Sequence, residues 1–484
     1  MHLHPHPFTR CGRAFLAAAV ALLALLTLRP TLPASAEETR SGSTYRVRGV
    51  LAPGGAFTGE LSLTYTGAGV SAHQVVHFSD GSEWSIDGKG VRSGKTVRIA
   101  IDAPATGITH ALSGKAPVTG KPGTLSVDLG SDTLRSRYSG PDGKADATGV
   151  SSDLRWSDED DLRSGDPAHG TADDILDYWN REGEFGSFAG VDGKSIATAV
   201  FKADQERVAV VFAPGRTETF TKYAELVRDL HPHGFSFYFL DHRGQGQSDR
   251  IVGSKPAPPD FVSPPGHVDR FDDYVDDVAR FVDRVVRKEP HAHVVGWGHS
   301  MGGGILTRYA EKHPGSFAAL ILSSPMHGLP IKWWQRPFVS FMTAMGKRRS
   351  YALGKGPWQP SMDVFEGNDT TGSESRYRFK MDTYSADPSV WIGGPTYGWV
   401  HEADRAGKAM REDARRLTMP VLLFQAGADT IVDNSAQDAV VAAAPDCTKI
   451  VLPGARHELL LERDDVRDAV LDHVLTFLES RLGL

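Results

Sequence analysis

Cysteine is nearly missing from this chain of 484 residues, which carries only Cys11 and Cys447. Two thiols are too few for a disulfide scaffold or a cysteine-based zinc site. An excess of positive charge is missing as well: 53 Lys plus Arg stand against 60 Asp plus Glu, for a formal charge of -7. Such a balance offers no broad basic footprint and argues against a nucleic-acid partner. No segment reaches the roughly 18 consecutive apolar residues that read as a membrane-spanning helix. What is present is ordinary globular composition, 40% hydrophobic and 23% charged, on a chain long enough for two or three domains. Collagen-like, coiled-coil and wholly disordered readings are excluded.

The N-terminus reads as a secretory signal peptide over residues 1–36. Arg10 and Arg13 precede an uncharged Ala/Leu-rich run from Ala14 to Leu28, and the small-residue site Ala34-Ser35-Ala36 follows. The run is short of the roughly 20 residues that cross a bilayer as a helix, so cleavage after Ala36 is preferred to an uncleaved anchor. The expected destination is the medium, the periplasm or the cell envelope.

Residues 40–150 alternate with period two, as in Leu61, Leu63, Tyr65 and in Val97, Ile99, Ile101, between Gly, Pro, Asp and Ser turns. About seven candidate strands in roughly 100 residues predict a small all-β domain, with a sandwich preferred and a small barrel as the alternative. It holds no cluster of titratable residues that suggests chemistry and names no ligand, which fits an accessory role in attachment, stability or substrate presentation. An acidic stretch, 151–170, with Asp158, Glu159, Asp160 and Asp161, predicts a linker. Over 171–484 apolar strands alternate with helical segments. Strands are expected at Arg207–Ala213, Phe235–Leu240, His293–Trp297, Phe317–Ser323, Val421–Ala426 and Lys449–Leu452, with an amphipathic helix over Phe271–Arg287. This order predicts an α/β fold with a mostly parallel sheet covered on both faces. The interval 326–416 is too long for a connection and predicts a cap over the sheet.

The strongest local signal is Gly298-His299-Ser300-Met301-Gly302, between an apolar strand and a helix-compatible run. It fits G-x-S-x-G in the strand, turn, helix context where a strained turn lifts a serine hydroxyl above a sheet. A hydroxyl is a weak nucleophile until a base takes its proton, and the base needs a carboxylate to fix its tautomer. Asp429, just past the strand Val421–Ala426, and His457, just past the strand ending at Leu452, supply both in the order Ser, Asp, His. Asp433, Asp404, His401 and His473 compete but sit less well at strand ends. Two N–H donors for an oxyanion are expected from Met301 and from Arg216 in the loop Ala213-Pro214-Gly215-Arg216, Arg216 being chosen over Gly215. The Arg216 side chain is left between a substrate phosphate and a structural salt bridge. The segment Asp241–Ser248 reads as structural, with Asp241 and Arg243 holding loops around the elbow.

From about Asp177 onward the chain resembles bacterial lysophospholipase L2 and, more loosely, the monoacylglycerol lipases of the α/β-hydrolase superfamily, over roughly 300 residues. The motifs are GEF and GVDG between Gly183 and Gly193, APGRTE from Ala213, YFLDHRGQGQSDR from Tyr238, GHVDRFDDYVDD from Gly266, GHSMGG from Gly298, GGPTYGWV from Gly393 and VDN from Val432. The resemblance implies an α/β-hydrolase fold and a Ser-His-Asp ester hydrolase, with Ser300 as nucleophile, Asp429 as acid and His457 as base. It implies a single-chain lipid ester as substrate and no metal or organic cofactor. The signal peptide and the β domain have no counterpart in the family pattern.

Within the cap, Trp334, Phe338, Phe341, Met342 and Met345 share a face at helical spacing. The face suits an acyl pocket or a peripheral membrane contact; packing onto the core is the bland alternative. Lys347, Arg348 and Arg349 offer charge for a phosphate headgroup, though solvated clusters of this kind are more common. Two further readings remain: a general carboxylesterase for short acyl esters, and a non-catalytic hydrolase-fold binding protein.

Overall fold

The structure, a computed structural model, describes residues 42–484 except 53–54, 67–68, 79–82, 94–95, 102–122, 130–132, 141–142, 152–153, 155, 164–170, 257–261, 360–361 and 363. The expected signal peptide lies outside the described residues. The chain divides into two compact units, Met1–Leu154 and Arg155–Leu484.

In the first unit, eight antiparallel strands follow one another: β1 (Gly42–Ala52), β2 (Gly55–Thr66), β3 (Gly69–Phe78), β4 (Glu83–Ser93), β5 (Thr96–Ile101), β6 (Gly123–Leu129), β7 (Thr133–Gly140) and β8 (Gly143–Ser151). Each pairs with the next, and β8 returns to β1 with Tyr45 opposite Ser151, so the sheet closes into a barrel. The all-β expectation holds, but the arrangement is this barrel and not the preferred sandwich. Alternation reads the same in both architectures. What separates them is the pairing of first and last strands, a contact distant in sequence. Inward positions of the alternating pattern, including Val47, Leu61, Leu63, Val97, Ile99 and Val127, are buried in one cluster. At the tightest crossings only glycine fits: a Cβ on Gly59 would lie 2.0 Å from the Val75 carbonyl oxygen, and one on Gly90 would lie 1.9 Å from that of Arg98.

The second unit holds an eight-stranded sheet in the order β16-β15-β14-β13-β11-β12-β10-β9. Its members are β9 (Glu184–Ala189), β10 (Ser195–Phe201), β11 (Val208–Ala213), β12 (Phe235–Leu240), β13 (Val294–His299), β14 (Ala319–Ser323), β15 (Val421–Ala426) and β16 (Cys447–Leu452). The strands from β12 to β16 run parallel, whereas β9 and β10 pair antiparallel. All six expected strands are present within a few residues. β9 went unread because five of its six residues are exposed and its pattern is mostly polar or small, and β10 because Ser, Ala and Thr break up its apolar run although six of its seven residues are buried. The expected amphipathic helix spans Asp272–Arg284 and turns Tyr274, Val275, Val278, Phe281 and Val282 inward. Part of the acidic 151–170 stretch is a short helix, Glu159–Arg163, tied to this unit by Ser157 Oγ donating to Asp229 at 2.6 Å and Trp156 Nε1 donating to Asp472 at 2.9 Å.

Between β14 and β15 the expected cap carries helices Gln335–Met342, Glu374–Ala386 and Tyr397–Asp413. The direction in which strands are added to the sheet reverses at β11, with β12 on one side and β13 on the other, all three parallel. In open α/β sheets a crevice forms outside the strands' carboxyl ends at such a switch point. Trp297 on β13 is fully buried beside Phe212 of β11, at 5.9 Å between ring centroids. Trp297→Ala is expected to cost about 3–5 kcal/mol of stability in urea unfolding, with no compensating collapse in so dense a core.

Candidate active site

Ser300 stands at the crevice on the turn from β13 into the helix Met301–Lys312, with φ 51° and ψ -118°. Such a conformation is costly for a residue with a Cβ and is held here by its surroundings. The Ser300 N–H donates to Ser323 O at 2.9 Å, and its carbonyl accepts from Met326 N at 2.8 Å. The flanking glycines are steric requirements: a Cβ on Gly298 would meet the Gly303 backbone at 2.6 Å, and one on Gly302 would meet Ala213 O at 2.0 Å.

Three groups distant in sequence converge. Ser300 Oγ donates to His457 Nε2 at 2.8 Å, and His457 Nδ1 donates to Asp429 Oδ2 at 2.7 Å. The carboxylate assigns the proton to Nδ1 and leaves Nε2 as acceptor. The other Asp429 oxygen accepts from Ile431 N at 2.8 Å and Val432 N at 3.2 Å. Burial pushes the Asp429 carboxyl up, but donation from His457 and these two amides outweighs it and holds the group below the usual aspartate range. The competing residues lie elsewhere. Asp433 caps the helix Asn434–Ala443, Asp404 pairs with Arg336 at 3.0 Å, and His473 lies within the helix Asp464–Leu482.

The loop after β11 shapes the second wall. The Gly215 N–H donates to Glu218 Oε2 at 2.5 Å, whereas the Arg216 N–H has no acceptor among the described residues. The Met301 N–H opens a helix, where no intrahelical acceptor exists. Thr217 takes φ 68°, which is rare for a β-branched residue and turns the chain sharply between these amides and Glu218. The Asp241–Ser248 segment holds this loop more than the elbow: Asp241 accepts from Thr219 Oγ1 and Phe220 N, each at 2.8 Å, and Gln245 Nε2 donates to Gly215 O at 2.7 Å. Burial pushes the Asp241 carboxyl up to about 7. Arg243 Nε donates to Asp277 at 2.6 Å, which anchors the far end of the same segment.

Next to His457 lies a buried charge network that the motifs did not reveal. Lys222 Nζ reaches Glu218 at 2.7 Å and Glu458 at 2.8 Å, and Tyr223 Oη donates to Glu218 at 2.6 Å. Burial pushes both carboxyls up, yet the surrounding charges, Lys222 first among them, together outweigh it and hold both below the ordinary glutamate range. His299, 4.9 Å from the His457 ring, is pushed down to about 4 by burial. The legible signals were Glu218 and Lys222 four residues apart, and Glu458 adjoining the base.

The expected substrate face is turned to the surface. Trp334, Phe338 and Phe341 are exposed, at 49%, 37% and 59%, and the helix Gln335–Met342 with its Met342 buries no residue. A cavity of about 410 Å³ lies instead under other cap residues, including Met362, Val364, Met381, Trp391 and Ile392, and reaches Thr217. Its wall at Thr370 accepts the N–H of Glu458 at 2.8 Å, next to the base. Arg348 and Arg349 are engaged by Glu402 at 2.9 Å and Asp269 at 3.2 Å.

Lys222→Met is expected to cost about 3–5 kcal/mol, because it leaves the buried Glu218 without its lysine and the neighbouring Glu458 with Lys380 alone, at 3.4 Å. Both glutamates are depressed in the folded wild type, so their contribution is complete above about pH 5 and fades as pH falls through their folded values. The deficit of the variant in urea unfolding therefore narrows in acid.

Comparison with known proteins agrees with this architecture. The family profile described as "Serine aminopeptidase, S33" matches residues 204–464. Lysophospholipase L2 of Escherichia coli K12 is 37% identical over 314 residues, which cover 63% of this chain and 89% of that protein. Monoacylglycerol lipase of Mycolicibacterium smegmatis is 29% identical over 299 residues, covering 61% of this chain and 97% of the other. Among solved structures, a thermostable carboxyl esterase from Bacillus coagulans aligns with a TM-score of 0.50 at 18% identity, over 62% of this chain and 98% of its own. That likeness shows the fold. The chain belongs to this family of α/β-hydrolases, in the branch of lysophospholipase L2 and the monoacylglycerol lipases.

Proposed function

We propose that the protein cleaves the acyl ester of a lysophospholipid or monoacylglycerol through Ser300, His457 and Asp429. The observation that carries this reading is the unbroken relay from Asp429 Oδ2 through the imidazole to Ser300 Oγ, at 2.7 and 2.8 Å. Ser300 Oγ attacks the acyl carbon while its proton passes to His457 Nε2, and Asp429 stabilises the resulting imidazolium. The oxyanion is received by the N–H groups of Met301 and Arg216. His457 returns the proton to the departing glycerol oxygen, which leaves an acyl-Ser300 ester. Water, deprotonated by His457, then releases the fatty acid. The lysophospholipase and monoacylglycerol lipase relatives support the choice of lipid ester.

The exposed face of Trp333, Trp334, Phe338, Phe341 and Met345, flanked by Lys332, Arg336 and Lys347, suits a peripheral contact with the membrane that holds the substrate. The N-terminal arginines, apolar run and Ala34-Ser35-Ala36 site support export with cleavage after Ala36.

Hydrolysis should be measured on lysophosphatidylethanolamine, lysophosphatidylcholine, monoacylglycerol and a nitrophenyl ester series of rising chain length. Long-chain glycerol esters are expected to give the highest kcat/KM; a preference for short nitrophenyl esters would mark a general carboxylesterase instead. A fluorophosphonate probe should label the wild type, and Ser300→Ala should lose both labelling and at least about 10³-fold in kcat, Asp429→Asn following closely. An unlabelled wild type would identify a binding protein. The pair Trp334→Ser and Phe341→Ser is expected to lower the ratio of vesicle to soluble-ester activity about tenfold, given the apolar area removed. Intact-mass analysis of the exported chain should show a new N-terminus at Glu37.

A further inference from the structure

Cations around the site are nearly all committed. Lys222 lies between Glu218 and Glu458, Lys380 faces Glu458 at 3.4 Å, Arg348 meets Glu402 and Arg349 meets Asp269. Arg216 differs: no carboxylate of the described residues lies within ion-pair distance of its guanidinium. One nitrogen, Nη2, donates to the Gly393 carbonyl at 2.7 Å, and the group stacks over Trp399 at 5.2 Å. Among the described residues, buried Nε has no partner and Nη1 makes no hydrogen bond. Burial pushes this guanidinium down to about 10, against only the hydroxyls of Tyr274 and Tyr351. A desolvated cation with free donors is costly to keep unless an anion completes it.

Its position says which anion. Ala213 O and Pro214 O press on the nucleophile's helix, so closely that a Cβ on Gly302 would lie 2.0 and 2.4 Å from them. The Arg216 side chain therefore starts two residues from that contact and extends toward Gly266 and the cap residues Gly393 and Trp399. In a lysophospholipid, one glycerol unit separates the acyl carbonyl from the phosphate, a span comparable to the reach of an arginine side chain. A guanidinium presents a fork of donors that matches phosphate oxygens. We infer that Arg216 is a specificity-determining residue whose side chain receives the phosphate of a lysophospholipid while its acyl carbonyl lies at Ser300, so that the phosphorylated glycerol ester is preferred to the uncharged one. This rests on the ester-hydrolase reading above.

The test compares wild type, Arg216→Gln and Arg216→Lys on lysophosphatidylethanolamine and on monoacylglycerol of the same acyl chain, in the same micelles. In Arg216→Gln the ratio of the two kcat/KM values is expected to fall about tenfold to hundredfold, the range for a hydrogen bond to a charged group. Lysine should restore part of it. A purely structural role would lower both substrates together, so an unchanged ratio in a variant still labelled by fluorophosphonate overturns the inference. Should neither variant fold, wild-type hydrolysis of a soluble nitrophenyl ester decides: glycerol 3-phosphate is expected to inhibit competitively where glycerol does not, and equal behaviour of the two overturns it. Wild type inactive on both lipids rejects the ester-hydrolase reading itself, whereas activity with an unmoved ratio rejects Arg216 alone.

Discussion

A single buried ammonium joins the two loops that flank Ser300 and carry His457. Lys222 bridges Glu218, which fixes the Gly215 amide in the loop after β11, and Glu458, which adjoins the base in the loop after β16. Those loops leave strands at distant places in the sheet, and apolar packing alone leaves their relative height loosely specified. Opposed charges in a dry interior specify it sharply, because any drift leaves a carboxylate unpaired. The loop carrying the Arg216 amide and the His457 imidazole are thereby held to one relative height.

Backbone strain is concentrated at the same place. Ser300 and Thr217 both take positive φ, and so does Ser324 just past β14. Ser300 and Ser324 each lie just beyond the carboxyl end of a strand and are held by the adjoining one, the Ser300 amide by the Ser323 carbonyl and the Ser324 amide by the Phe424 carbonyl. Rigid parallel strands offset the strain of holding the buried Ser300 hydroxyl against the His457 imidazole.

Much of this was legible in the residues because it is local. A buried parallel strand is an apolar run, so β12 and β15 could be read to their ends, and Gly298-His299-Ser300-Met301-Gly302 carries the elbow within five positions. Asp429 and His457 could be named because strand ends are local features too. Closure of the β domain was not legible, since the contact of Tyr45 with Ser151 leaves no trace in the alternation of either strand. The same limit hid the partners of Lys222: Glu218 lies one helical turn away, but Glu458 lies far along the chain. The Trp334 to Met345 stripe was visible as a stripe, while the side it presents depends on how the cap packs, which periodicity does not encode.

Closing the N-terminal sheet has a consequence for how that unit comes apart. With β1 bonded to both β2 and β8, no strand can peel away without breaking two ladders at once. Partial opening is therefore nearly as costly as complete loss of structure, and the amide protons of all eight strands should share one slow exchange regime instead of a gradient from rim to centre. The unit behaves mechanically as a hoop: its hydrogen-bond perimeter is continuous, and a tug on either end meets the whole circumference.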